Sequence, residues 1–135
     1  MPQTREILDT FAVNFRPQVS SESLAAAIDA MLECEEAVTA CAAAMVTEDD
    51  VRAMQDAIIC DLNCVDVVAA TRRVLSRGTD SALLGSQLEA CVMACEHSGE
   101  QCAKHAGHHE HCRMCLAATR RCAEACRQVL QGLHG

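Results

Sequence analysis

Eleven cysteines run through this 135-residue chain at spacings that suit metal chemistry. Cys34 and Cys41, Cys60 and Cys64, then Cys91, Cys95 and Cys102, then Cys112, Cys115, Cys122 and Cys126 stand three, four or seven residues apart. Residues so spaced share one face of an α-helix, so the thiols form stripes of sulfur. Soft thiolates and thioethers suit copper(I), zinc or iron-sulfur centres, and residue type alone leaves all three open. Structural zinc wants four ligands converging tetrahedrally, usually from loops, whereas a helix stripe supplies a continuous column. Copper(I) accepts two or three thiolates. If each thiolate bridges two ions and each ion takes two thiolates, charge cancels, and the cost of an uncompensated buried charge is avoided.

The elements that must carry these stripes are helices, since no segment alternates like a strand. Thr4 to Phe15 reads as a short amphipathic helix with Ile7, Leu8, Phe11 and Phe15 on one side, ended by Pro17. Four longer helices follow, over about 21–46, 48–76, 80–105 and 109–131. Thr47 with Asp50 resembles a capping box for the second, Gly78 closes it, Thr79 or Asp80 caps the third, and Gly107 breaks the chain before the fourth. Heptads assigned to each helix give Leu24, Ala27, Met31, Cys34, Val38, Cys41 and Met45, then Ala57, Cys60, Cys64, Val67, Thr71 and Val74. The third helix gives Leu84, Leu88, Cys91, Cys95, Ser98, Cys102 and His105, and the fourth Cys112, Cys115, Thr119, Cys122, Cys126 and Val129. Every cysteine falls on a seam. Short connections make neighbours antiparallel, so the expected fold is an all-α, up-down-up-down four-helix bundle with the seams inward, preceded by a short N-terminal helix. Residues 1–135 read as one domain, with 1–18 as an N-terminal extension.

That topology gives the bundle two unlike ends. One gathers Met45, Met54, His105, His108, His109 and His111 and reads as an entrance with candidate metal-ligating groups. The other gathers Leu24, Ile28, Val67, Val74, Leu75, Leu84, Leu88, Val129 and Leu130 and reads as an apolar plug.

Composition narrows the function further. A net charge of -8, with Lys104 as the only lysine, argues against nucleic acid, and with only Phe11 and Phe15 as aromatics there is no base-stacking platform. No apolar run is long enough to span a bilayer. The start, MPQTREILDTF, lacks the apolar stretch of a secretory signal, so a cytoplasmic location with reduced thiols is expected. Neighbouring thiols on one helix face project side by side, a poor geometry for disulfides.

The runs CDLNC (60–64), CVMAC (91–95), CRMC (112–115) and CAEAC (122–126), together with the His/Met end, resemble the bacterial copper storage proteins of the signal-less cytosolic kind. The resemblance covers nearly the whole chain. It implies a four-helix bundle, commonly a homotetramer, that holds many copper(I) ions in its core through cysteine thiolates. Copper ions and copper chaperones are the implied partners. Val38, Val67, Ser98 and Thr119 occupy seam positions where a fuller sulfur lining would have cysteine.

Other readings stand beside this one. A lone buried cysteine is usually a small apolar filler, and Met31, Met93 and Met114 suit gap-filling. The run KHAGHHEH also suits a solvated turn. Cys112 and Cys115, near a helix start, could form a redox pair, although a thioredoxin-like enzyme would need a preceding strand. A zinc- or iron-sulfur-binding bundle is the second alternative. Phosphate loops, paired catalytic carboxylates and nucleophile-base-acid series are not recognisable, so no enzymatic activity is expected.

Overall fold

The computed structural model describes residues 2–10 and 19–134. Its helices are α1 (Pro2–Thr10), α2 (Ser21–Met45), α3 (Gln55–Arg77), α4 (Ser81–Ala103) and α5 (Glu110–His134), with a short 3₁₀ turn at Val51–Met54. No strand occurs among the described residues. The expected apolar stripe of the N-terminal helix extends beyond Thr10, so Phe11, Phe15 and Pro17 lie outside the described residues. Within α1, Leu8 is buried and Ile7 exposed, and Thr4 donates a hydrogen bond to Asp29 of α2.

The long helices form the expected antiparallel bundle, as their lateral pairs show. Glu33 meets Arg121 and Cys41 meets Cys112 between α2 and α5. Cys64 meets Cys95 and Thr71 meets Gln87 between α3 and α4, while Cys102 meets Cys115 and Cys91 meets Cys126 between α4 and α5. In each series one helix ascends in number as its neighbour descends. Glu35 and Arg72 tie α2 to α3 with an ion pair at 2.6 Å.

Local chemistry sets the helix ends. Ser20 caps α2 by accepting from the Ser23 backbone N–H, and Asp80 caps α4 by accepting from that of Leu83 at 2.9 Å. Gly78, at φ 86°, takes the left-handed backbone that ends α3. The expected capping box at Thr47 does not form. Thr47 instead donates back to the Ala44 carbonyl at 2.7 Å and helps close α2, and the chain turns before α3 begins at Gln55 rather than Glu48. The side chains of Glu48 and Asp50 are thereby free to meet His109 of the opposite connection and His111 in the first turn of α5.

The seam of α3 also differs from the heptad reading. Asp61, Cys64, Val68, Thr71 and Leu75 are buried, whereas Cys60, Val67 and Val74 are only partly so. The two phases share Ala57, Cys64 and Thr71; burying Val68 and Leu75 turns Asp61 inward with them and moves Cys60 to the flank. Val68 belongs to the core, and Ile58 and Val65 are partly buried against that core. On α3 the exposed large apolar residues are Ile59 and Leu62. At the plug, Leu75, Leu84, Leu88 and Val129 are buried as expected.

Candidate metal centre

All eleven cysteines are free thiols, and ten are buried; Cys60 alone is half-buried. From Cys112 to Cys126 the sulfur stripe of α5 extends about 21 Å at ~1.5 Å per residue. Along it the ten thiols fall into two chambers. The outer chamber, nearer the connections at 46–54 and 104–109, holds Cys41, Cys102, Cys112 and Cys115. The inner chamber holds Cys34, Cys64, Cys91, Cys95, Cys122 and Cys126. Between them lie Val38, Ser98 and Thr119, each buried and each placed on its helix between an outer and an inner cysteine.

Ligand-capable atoms converge in overlapping groups within 4.8 Å. In the outer chamber these are Cys41, His111 and Cys112, then Cys41, Asp61, Cys102 and Cys115. In the inner chamber they are Cys34, Cys95 and Cys122, then Cys91, Cys122 and Cys126. Cys41 belongs to both outer groups and Cys122 to both inner ones. A thiolate shared between groups is what a bridging ligand requires. Sulfur–sulfur approaches of 3.3 Å (Cys102–Cys115), 3.7 Å (Cys91–Cys126), 3.9 Å (Cys41–Cys112) and 4.0 Å (Cys64–Cys95) cross from helix to helix. No group among the described residues joins the two chambers.

Asp61 is the residue sequence reasoning missed. It is fully buried, accepts from the Ser98 hydroxyl at 2.6 Å, and lies 3.5 Å from Cys102 and 3.8 Å from Cys115. Burial, aided by the neighbouring Cys102, pushes its carboxyl up to about 7. The signal available in the sequence was an acidic residue one position from a cysteine on an apolar helix. Ser98, read as a gap in the sulfur lining, serves this carboxylate.

The thiols around Asp61 do not titrate alike. Cys102 donates to Cys115, so that hydrogen bond raises Cys102 to about 12 and lowers Cys115 to about 6. Burial pushes the Cys112 thiol up to about 11. Activation of Cys112 by its place near a helix start is therefore outweighed by desolvation.

At the outer end, His111 Nδ1 lies 3.3 Å from Cys41 Sγ and 3.5 Å from Cys112 Sγ, while its Nε2 lies 3.0 Å from Glu48. His109 stacks on it with ring centroids 5.2 Å apart. His105 is half-buried and His108 exposed, and neither joins a metal-capable group among the described residues. Met45 and Met54 are at this end but fully buried, so they line its interior. Among the described residues, no helix is long and apolar enough to cross a membrane.

Comparison with known proteins agrees with this geometry. The copper storage protein model matches residues 20–131. The chain is 40% identical to a copper storage protein from Streptomyces lividans solved with 10 copper equivalents, covering 96% of this chain and 98% of that one with a TM-score of 0.91. It is 43% identical to a cytosolic copper storage protein of the same organism carrying five coppers, covering 82% of this chain and 93% of that one at a TM-score of 0.80. A variant of the S. lividans protein with one histidine replaced by alanine matches at 43% identity over 85% of this chain and 98% of that one, with a TM-score of 0.83. A search of curated proteins returned no match. With the family model spanning the whole bundle, the chain belongs to the copper storage protein family.

Proposed function

We propose that this protein stores or detoxifies copper(I) in the cytoplasm, binding many ions through the buried thiols of its bundle and catalysing no reaction. One observation carries the reading: nine of the ten buried free thiols, from α2, α4 and α5, converge in overlapping groups, and the tenth, Cys64 of α3, lies 4.0 Å from Cys95. Soft ligands arranged so that neighbours are shared suit a monovalent soft ion that tolerates low coordination numbers. One copper(I) per thiolate keeps the dry interior near neutrality, which a divalent ion at the same stoichiometry would not. Each thiol gives up a proton as it binds, so uptake acidifies the medium.

The ligands in this reading are Cys34, Cys41, Cys64, Cys91, Cys95, Cys102, Cys112, Cys115, Cys122 and Cys126, with His111 completing the outermost group. Cys60, on the flank, is an auxiliary thiol. His109 and His111 take the entrance role, Met45 and Met54 line the space below, and His105 and His108 stand on the rim. Residues 1–135 act as one domain. Assembly into a homotetramer and delivery by copper chaperones belong to the same reading; exposed Ile59 and Leu62 supply apolar surface for association.

Anaerobic copper(I) titration of the fully reduced protein against a competing chelator is the test. Saturation close to the number of buried thiols, with loss of thiol alkylation throughout the titration, is the expected result. Saturation at one metal per four cysteines, or after one or two ions, would replace storage with a zinc-like or trafficking role.

A further inference from the structure

We propose that Glu48, His109 and His111 form a second metal site at the mouth of the bundle, selective for a borderline divalent cation such as zinc(II) and chemically distinct from the thiolate core. Glu48 Oε1 lies 3.0 Å from His111 Nε2 and 3.5 Å from His109 Nδ1, and all three ligand atoms lie within 4.8 Å of one another. A tetrahedral zinc ion with bonds of about 2.0–2.1 Å places its ligands ~3.3 Å apart. Two imidazoles and one carboxylate are a nitrogen–oxygen set that favours zinc(II) or a similar divalent ion over copper(I), leaving a coordination position for water.

The second nitrogen of each ring strengthens the assignment. His109 Nε2 faces the Asp50 carboxylate at 3.3 Å, and His111 Nδ1 faces Cys41 Sγ at 3.3 Å. Ligating histidines characteristically donate their other N–H to a carboxylate, as His109 is placed to do toward Asp50, which fixes tautomer and ring orientation. A cation between Nδ1 and Glu48 leaves the Nε2 nitrogen of His109 for Asp50. The surroundings also favour a cation: Glu48, Asp49 and Asp50 follow the C-terminus of α2, where the helix dipole is negative. The side chains of His109 and His111 are 16% and 23% exposed, so an ion can arrive from solvent and still be partly sheltered.

His111 connects this site to the sulfur below. While it holds a single proton, the ring offers a lone pair either through Nε2 to the mouth ion or through Nδ1 to an ion held by Cys41 and Cys112. The coordination site itself is independent of the copper reading, because it is tested on copper-free protein with zinc alone.

Crystals of reduced, copper-free protein soaked in zinc(II) should give an anomalous peak bonded to Glu48, His109 and His111. In solution, His109→Ala and Glu48→Gln should each weaken zinc binding at this site at least tenfold, with helix content by circular dichroism unchanged, and Asp50→Asn should weaken it less. A map with no peak at the mouth, or variants that retain the peak and the affinity, would overturn the site and leave a hydrogen-bonded cluster.

Discussion

The outer and inner chambers of this bundle use the same thiol on the same four helices, yet they differ in what surrounds the sulfur. The inner chamber contains six cysteines above an apolar plug, and its metal-capable groups are sulfur alone. The outer chamber mixes four cysteines with a buried carboxylate and an imidazole that reaches toward solvent. Sulfur alone gives a store whose charge is balanced only by the ions within it. Adding Asp61 and His111 gives the outer chamber harder donors, a proton-dependent charge and contact with the mouth. The two chambers therefore differ in donor hardness and in their contact with the mouth.

The strongest way to break that comparison is to remove inner sulfur. Replacing both Cys95 and Cys122 by serine strikes both inner groups, since Cys122 is shared between them. Six of the ten buried thiols belong to that chamber. Copper(I) capacity should therefore fall by a large part of its value, while uptake by the outer four persists and the empty bundle stays folded. Chelator competition on the double variant, with helix content recorded alongside, checks this; full capacity would remove the inner chamber from the ligand set.

A smaller effect separates the chambers by pH. Burial raises the Asp61 carboxyl from the ordinary 3.8 to about 7 in the folded, metal-free protein. A raised carboxyl binds its proton more tightly when folded, so its contribution to stability is complete below pH 3.8 and is lost as pH rises through 7. At ~1.4 kcal/mol per pH unit, the loss across that window is bounded at about 4 kcal/mol. Asp61→Asn keeps an acceptor for Ser98 and should abolish this part of the pH dependence, making the empty variant the more stable protein at pH 8. Urea unfolding of both proteins between pH 4 and 8 measures the difference, and parallel curves would show that Asp61 does not titrate in that window.

How much of this was legible in the sequence depended on which physical signal a residue sends. Helix existence, antiparallel order and the inward cysteines followed from spacing at three, four and seven, because long periodic stripes survive errors of a few residues at their ends. Cys60 was misplaced because two seams on α3 fit the pattern, and the apolar content of Cys60, Val67 and Val74 outweighed that of a seam containing Asp61. The buried carboxylate is tolerated only with partners on another helix, Ser98 and Cys102 of α4, which no local window contains. The mouth histidines were legible as a cluster. Their sorting was not, because pairing His109 and His111 with Glu48 and Asp50 depends on a turn and a 3₁₀ segment where a helix start was expected.

The smallest predicted effect tests what divides the chambers. Thr119 is 1% exposed and lies between Cys115 and Cys122, with its hydroxyl donating to the Leu116 carbonyl at 2.9 Å and standing in the path of any Cβ at Gly99, 3.1 Å away. Thr119→Cys nearly preserves the side chain's volume and forfeits one hydrogen bond to a carbonyl within its own helix. Stability should consequently change by no more than about 1 kcal/mol. The new sulfur would join the outer and inner columns across the layer now formed by Val38, Ser98 and Thr119. Capacity should rise by a single ion, and copper(I) uptake that fills two chambers in separate phases should merge toward one. Stopped-flow uptake with reduced protein distinguishes the cases. Two unchanged phases at unchanged capacity would mean that this layer is packing and not a divider, and that the contrast between the chambers arises from Asp61 and His111 alone.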